Sequence, residues 1–276
     1  MNANNHTEAQ AIHSAASAAP AVLLKAADPS KNLILVPLSR LVSRPTGRNG
    51  QVSASHRAVS AVVTTNRPGA PAHLAIHRGE RATGFHERGG LACLETEFGR
   101  YRARRLVVTA GPWLPSLLGG TWAGRFTVRR QALFWFRGKD AIAPFEPERF
   151  PVFIWELAGR DQPIYGFPAI EGRAGGVKIA SEQHALATTP EEMARKVAPA
   201  EARALYEEKV APCFPGLSGE CVKAVACLYT MTADCHFVIE PHPDFPSITI
   251  ASPCSGHGFK HSAAIGERLA LSVDES

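Results

Sequence analysis

The feature that most constrains this chain is where its aromatic residues are not. None of its 13 Phe, 4 Trp and 4 Tyr occurs before Phe85 in a sequence of 276 residues. Large side chains supply much of the burial that offsets the entropy of ordering a chain, so a well-packed core has to come from residue 85 onward. Residues 1–84 are instead rich in Ala, Ser, Thr, Asn and Pro. Such a segment is expected to pack poorly, with disorder up to about residue 30. Two short apolar runs in it, Asn32–Leu38 and Ala58–Thr65, have strand character. Neither leads into a glycine-rich turn and a helix.

Charge divides at nearly the same place. Residues 1–90 hold ten Lys/Arg against four Asp/Glu, a net of +6; the other 186 residues hold twenty against twenty-one, a net of −1, which recovers the total of +5. The sequence pI of 9.0 therefore reflects the first third alone. No stripe of interleaved aromatic and basic residues accompanies it, so no nucleic-acid partner is expected. No apolar run reaches the roughly 18 residues that a membrane span needs. The start lacks the basic and apolar blocks of a secretory signal, and a cytoplasmic protein is expected. A monomer is expected as well.

The six cysteines (93, 213, 221, 227, 235 and 254) form no CxxC pair and read as reduced thiols. Cys235, His236, His242, Cys254 and His257 lie close in sequence, but they straddle two strand-like runs. Structural zinc sites bring ligands in closely spaced pairs on tight turns, so no metal is expected.

From Phe85 onward the pattern is strand-rich. Leu91–Glu97 alternates, Phe98-Gly99-Arg100 reads as a turn, and Tyr101–Thr109 reads as one following strand. Its Leu106-Val-Val-Thr109 portion is apolar enough to be buried on both faces. Ala110-Gly111-Pro112-Trp113 ends it, with Pro112 suited to a first helical position and a short helix over Trp113–Leu118. Further strands are predicted at Phe126–Phe136, Pro151–Leu157, Pro163–Ala169 and Gly176–Ser181, then at Val222–Thr230, Phe237–Glu240 and Ser247–Ala251. Between the two groups, Thr188-Thr-Pro-Glu-Glu192 predicts a capped helix start continuing through Lys209 with a break near Pro199. A last helix is predicted from about Gly258 to Ser272, with Ile265, Leu269 and Leu271 at helical spacing.

The arrangement with the clearest chemistry is the strand Ser247–Ala251, the turn Ser252–Gly258 and the helix after it. Free N–H groups and the helix dipole make such a place favourable for an anion or an electron-rich group. Lys260 adds a full positive charge in the first turn, against the local field, which points to a partner anion such as a substrate carboxylate. Taken alone, a Gly256-His257-Gly258 turn is as often structural as functional.

Several separated motifs together say more. Cys227-Leu-Tyr-Thr230, Asp234, His236-Phe-Val-Ile239 and Ser255-Gly-His-Gly-Phe-Lys260 resemble the signature of the monomeric sarcosine oxidase and N-methyltryptophan oxidase family, within the D-amino-acid-oxidase-like FAD-dependent oxidoreductases. The resemblance extends upstream through Tyr165-Gly-Phe-Pro168, Gly176-Val-Lys178 and Leu106–Trp113, and covers roughly residues 75 to 270. It implies a mixed α/β (α+β) fold. Residues 75–124 and 222–276 would form an incomplete FAD-binding domain of the glutathione-reductase-like type. Residues 125–221 would form a mixed or antiparallel β-sheet substrate domain, with 1–74 left unmatched.

The same resemblance implies roles. Cys227 matches the cysteine that holds FAD through its 8α-methyl carbon, a sound match because a thiolate can add to an electron-poor ring, although a buried Cys is more often inert. Lys178 matches the lysine over the flavin N5 region that promotes reaction with O2; the alternative is a strand lysine pointing to solvent. Lys260 matches a contact to the substrate carboxylate, and Tyr165 and Tyr229 match aromatic residues lining the substrate cavity, though either could be core. Lys178, Lys260 and His257 are the candidate catalytic residues. Thr109, Ala110, Gly111, Trp113, Gly256, His257, Gly258, Phe259 and Lys260 are the candidate FAD contacts beside Cys227. The implied partners are a small amine or N-methyl amino acid and O2.

The sequence departs from the family in three ways. It has no G-x-G-x-x-G turn for a pyrophosphate, its sole Gly-x-Gly being Gly256-His-Gly258. Arg40, Arg44 and Arg48 lie in unmatched sequence, so the family's early arginine pair has no counterpart. Glu182 stands where the family has a histidine four residues after the lysine, with His184 two further on. The chain is also shorter than family members usually are. Two readings follow: an FAD-dependent oxidase of secondary amines, or a truncated, inactive relative that does not hold FAD stably.

Overall fold

The computed structural model describes residues 33–36, 60–65, 73–156, 162–182 and 186–274. The expected disorder before residue 30 lies outside them. In chain order the strands are β1 (Leu33–Val36), β2 (Ser60–Thr65), β3 (His73–Arg78), β4 (Ala82–Arg88), β5 (Leu91–Thr96), β6 (Arg100–Ala103), β7 (Arg105–Val108), β8 (Thr127–Gly138), β9 (Phe153–Trp155), β10 (Ile164–Phe167), β11 (Val177–Ser181), β12 (Leu217–Met231), β13 (Val238–His242) and β14 (Phe245–Ser252). The principal helices are α1 (Leu114–Leu118), α2 (Pro199–Leu205) and α3 (Ser262–Asp274). Both short runs of the aromatic-free segment thus contain a strand. The chain forms two compact units, one over residues 129–228 and the other over the described parts of 18–128 and 229–276.

The second unit is built on a six-stranded sheet in the order β13-β14-β7-β1-β2-β3. Strands β14, β7 and β1 run parallel, with Ile250 opposite Val108 and Val36 opposite Val108 on the other side. Leu106, Val107 and Val108 are all fully buried, as a central parallel strand requires. Leu106 and Val108 join one apolar cluster with Leu94, Leu114, Ile248 and Ile250. Val107 faces the other way and packs with Ala251 and Leu269 of α3. The sheet is therefore covered on one face by the three-stranded β4-β5-β6 sheet and α1, and on the other by α3.

The first unit is a five-stranded sheet ordered β12-β8-β11-β10-β9. Strand β11 runs antiparallel to both β8 and β10. Its inward face carries Phe134, Phe136, Ile164, Val177 and Ile179, packed against Leu205, Val210 and Phe214 of the helical segment. Strict alternation along β8 leaves Leu133, Trp135 and Arg137 on the opposite face, half-buried.

Four expectations need correction. Tyr101–Thr109 is two strands in two sheets, separated by exposed Arg104: the half-buried alternation of β6 gives way to the fully buried run of β7. Strand β4, unmarked in the sequence reading, forms a hairpin with β5 through Gly89 and Gly90, both at positive φ, the pairing of small residues that two-residue hairpins favour. The helix expected from Pro190 is only a turn there, capped by the Thr189 hydroxyl at 3.2 Å from the Glu192 N–H. Arg130 draws the Ala194 and Lys196 carbonyls (2.8 and 3.4 Å) away from a helical ladder. The helix begins instead at Pro199, the expected break, where the Glu201 carboxylate accepts the Ala198 N–H at 2.8 Å. Finally, Leu271 is 55% exposed and does not share the buried face of Leu269.

Candidate functional site

Because β7 and β14 are parallel neighbours in register, the turns that follow them leave the same edge of the six-stranded sheet. Thr109, Ala110, Gly111 and Trp113 lie in the first turn, with Gly111–Trp113 a single 3-10 turn leading into α1. Gly256, His257, Gly258, Phe259 and Lys260 lie in the second, which passes through a 3-10 turn, Phe259–His261, into α3. The carboxyl edge of parallel strands is where sheets of this kind receive a ligand, and helix starts there offer free N–H groups.

The second turn is tightly built. The Ser255 N–H donates to the Thr230 carbonyl at 2.9 Å, and the Thr232 hydroxyl donates to the His236 carbonyl at 2.8 Å while lying 3.4 Å from the Ser255 hydroxyl. His257 is held through its Nε2 at 3.0 Å from the Cys235 carbonyl and stacks on Phe237 at 4.7 Å between ring centroids. That engagement gives His257 the part of an anchor for the turn. Gly256 sits at φ +81° with the Tyr229 ring so close that a Cβ would approach it to 2.7 Å. A Cβ at Gly258 would run into the Pro253 carbonyl. The spaced motif residues are thus brought together: Tyr229 and Thr230 contact Gly256 and Ser255, while exposed Asp234 accepts the His236 N–H in the adjoining loop. Lys260 and Phe259 are exposed at the start of the helix.

The other candidates lie in the first unit, on the half-buried face of its sheet. Register places Phe167 opposite Lys178 and Lys178 opposite Trp135 across β10, β11 and β8. The Lys178 ammonium lies 4.6 Å from the Phe167 ring centroid and 5.6 Å from that of Trp135. Among the described residues no carboxylate lies within ion-pairing distance of it. Burial pushes its pKa down, the like charge of Lys223 adds to this, and Cys227 acts the opposite way. Lys178 is therefore no solvent-pointing strand lysine. Cys227, half-buried on β12, is close enough to act on it electrostatically. Tyr165 is half-buried on β10 and its hydroxyl accepts the Gln131 amide at 3.3 Å. Gln131 is fully buried and also donates to the Ser181 carbonyl at 2.6 Å.

Trp135, Lys223 and Gln131 escaped the sequence reading, and Phe167 entered it only within the Tyr165–Pro168 motif. Trp135 and Phe167 show only by register against Lys178, and Lys223 only by sharing strand parity with Cys227 on β12. Of the residues raised as departures, Arg40, Arg44, Arg48 and His184 lie outside the described residues, and Glu182 is exposed at the end of β11. Burial raises the pKa of the Cys254 thiol, as expected for an inert cysteine. Among the described residues no group of three or more His, Cys, Asp or Glu could hold a metal ion.

The second unit thus presents a parallel-strand edge bearing two turns, and the first an antiparallel sheet carrying a desolvated lysine. A family model for FAD dependent oxidoreductases (DAO) matches residues 61–271, more than half of the chain, and the chain belongs to that family. It is 41% identical over 171 residues to monomeric sarcosine oxidase of Streptomyces avermitilis, covering 62% of this chain and 44% of that one. It is 29% identical over 186 residues to N-methyl-L-tryptophan oxidase of Citrobacter koseri, covering 67% and 47%. The chain spans a little under half the length of these relatives. Among solved structures, NikD, an amino acid oxidase of nikkomycin biosynthesis, superposes with a TM-score of 0.53 at 18% identity over 72% of this chain and 52% of that one. Amadoriase I of Aspergillus fumigatus does so with 0.53 at 18% over 71% and 46%. These structural likenesses speak to the fold.

Proposed function

We propose that the chain takes part in sarcosine-oxidase-like oxidation of a secondary amine or N-methyl amino acid, with FAD as cofactor and O2 as electron acceptor. Family membership implies FAD, and the relatives' names supply the substrate class. The observation that carries the reading is Lys178: a cation held on an aromatic shelf, partly desolvated and without a described carboxylate partner. Such a group has little structural use and is suited to stabilising charge that develops during reaction.

The residues present fit the ring-bearing part of the cofactor. The edge formed by Thr109–Trp113 and Gly256–Phe259 would hold the ring, its helix starts offering free N–H groups to an electron-rich partner. A thiolate at Cys227 and the ammonium at Lys178 stabilise each other, which favours covalent attachment at Cys227. Bound FAD supplies a two-electron acceptor for hydride from the carbon next to the amine, and O2 takes those electrons to give H2O2. Lys178 would stabilise the negative charge that O2 acquires. Lys260, exposed at the helix start, would hold the substrate carboxylate, and Tyr165 and Tyr229 would bound the amine's apolar part.

The test is a visible spectrum of the purified protein after acid precipitation. Flavin absorbance in the pellet is expected, with release into the supernatant for Cys227→Ser. A colourless protein that takes up no added FAD would overturn the proposal. With flavin bound, Lys178→Met is expected to slow reoxidation by O2 by roughly 100-fold, the scale of losing one charge-stabilising group, while leaving reduction by amine nearly unchanged.

A further inference from the structure

The shelf beneath Lys178 holds a second lysine that the proposed function does not use. Strand β12 is the neighbour of β8, and the Lys223 ammonium lies 4.7 Å from the Trp135 ring centroid. One indole therefore carries two cations, Lys223 at 4.7 Å and Lys178 at 5.6 Å. Like charges are seldom gathered in this way, because they repel one another and lose hydration. The electron-rich ring face offsets part of that cost. The described groups with charge that act on Lys178 are Cys227 and Lys223, both from β12, while β8 and β10 face it with the Trp135 and Phe167 rings.

We infer that Lys223 and Trp135 are positioning residues for Lys178: Lys223, held on the shared indole, sets the pH range over which Lys178 carries its charge and so the range in which it can serve the O2 reaction. The inference rests on the proposed role of Lys178 for its consequence, but its physical content concerns the protein alone. Lys223 is exposed, so its influence passes partly through water and is sensitive to salt. Lys178 is sheltered by the two rings and feels that influence as a bias against its charged form.

The experiment titrates Lys178 directly. Lysines are reductively methylated with carbon-13 formaldehyde, the Lys178 signal is assigned by its loss in Lys178→Arg, and its chemical shift is followed against pH in protein without added flavin. In Lys223→Met the midpoint is expected to rise by about half a pH unit at low salt, since the like charge is gone, and the difference is expected to shrink in 1 M salt, where screening acts within about 3 Å. Lys223→Arg restores the positive charge and should restore the original midpoint. An unchanged midpoint in Lys223→Met, or a Lys223→Arg variant that titrates like Lys223→Met, would overturn the inference. Because the readout needs no flavin, a shifted midpoint in a protein that fails to oxidise amines sinks the proposed function and leaves the lysine coupling standing. In flavin-loaded enzyme, the pH profile of reoxidation should move by the same interval in Lys223→Met.

Discussion

At the scale of single residues, the two glycines of the late turn are each required by a close approach within the fold. In the sequence Gly256 and Gly258 stand out as a candidate flavin-facing backbone. In the structure they are fixed by the turn itself, one by the Tyr229 ring and the other by the Pro253 carbonyl. Gly258→Ala is expected to cost about 3 kcal/mol or more, because the obstacle is backbone and cannot move aside. Gly89→Ala is the contrast: it has φ +60° but nothing within 4 Å of a new Cβ, so only the left-handed conformation is penalised, by about 1–2 kcal/mol. Urea unfolding of both variants measures the difference, and equal costs would contradict this account. His257 teaches the same lesson. Its place in the motif was legible, but its bond to Cys235 and stack on Phe237 were not, since they depend on where the 232–237 loop folds back.

At the scale of elements, two polar clusters hold segments that hydrophobic patterning leaves loose. Arg130, with only 11% of its side chain exposed, pairs with Glu201 at 2.7 Å and holds the carbonyls of 194 and 196. Arg130→Met should destabilise this unit by about 2 kcal/mol, less than a fully buried pair because Glu201 is 31% exposed, and should expose amides of 190–198 to hydrogen exchange. The second cluster ties the end of β3 to β5 and β6. The buried Glu80 carboxylate accepts the Tyr101 hydroxyl at 2.8 Å and the Thr96 hydroxyl, with His77 at 3.2 Å. Burial opposes the charge on Glu80, but these hydrogen bonds and His77 together lower its pKa below 4.5. Burial and the Glu80 carboxylate push Tyr101 up to about 12 from 10.0. The signs follow from linkage. The Glu80 contribution is complete above pH 4.5 and is lost as pH falls through its folded value. The Tyr101 contribution is complete below pH 10 and is lost as pH rises through about 12. Thermal melting of Glu80→Gln should therefore fall short of the wild type between those limits and converge with it at low pH; parallel curves throughout would refute the linkage.

At the scale of the whole molecule, each unit has its own buried cluster, one centred on Phe134, Phe136 and Ile179 and the other on Leu106, Val108 and Ile250. Phe136→Ala should cost about 3–5 kcal/mol, because Phe136 is fully buried. Hydrogen exchange is the suitable probe: protection should fall across the sheet and helices of 129–228, while amides of β7 and β14 keep most of theirs. Loss of protection in both units to the same extent would show that they unfold as one.

Sequence alone determined the strand-rich character, the buried β7, the final turn and helix, and the family, because each rests on local periodicity or on motifs in fixed order. It also pointed to Cys227, Lys178 and the glycine turn. Tertiary structure alone decided that the aromatic-free segment supplies β1 and β2 to the same sheet as β7 and β14, since strand pairing across long intervals leaves no local mark. It likewise decided that Arg130 keeps 190–198 out of a helix, and that Lys178 and Lys223 share one indole. The pairings of β1 and β2 and the shared indole are contacts between strands, set by register, and register is settled by which faces the whole sheet can bury.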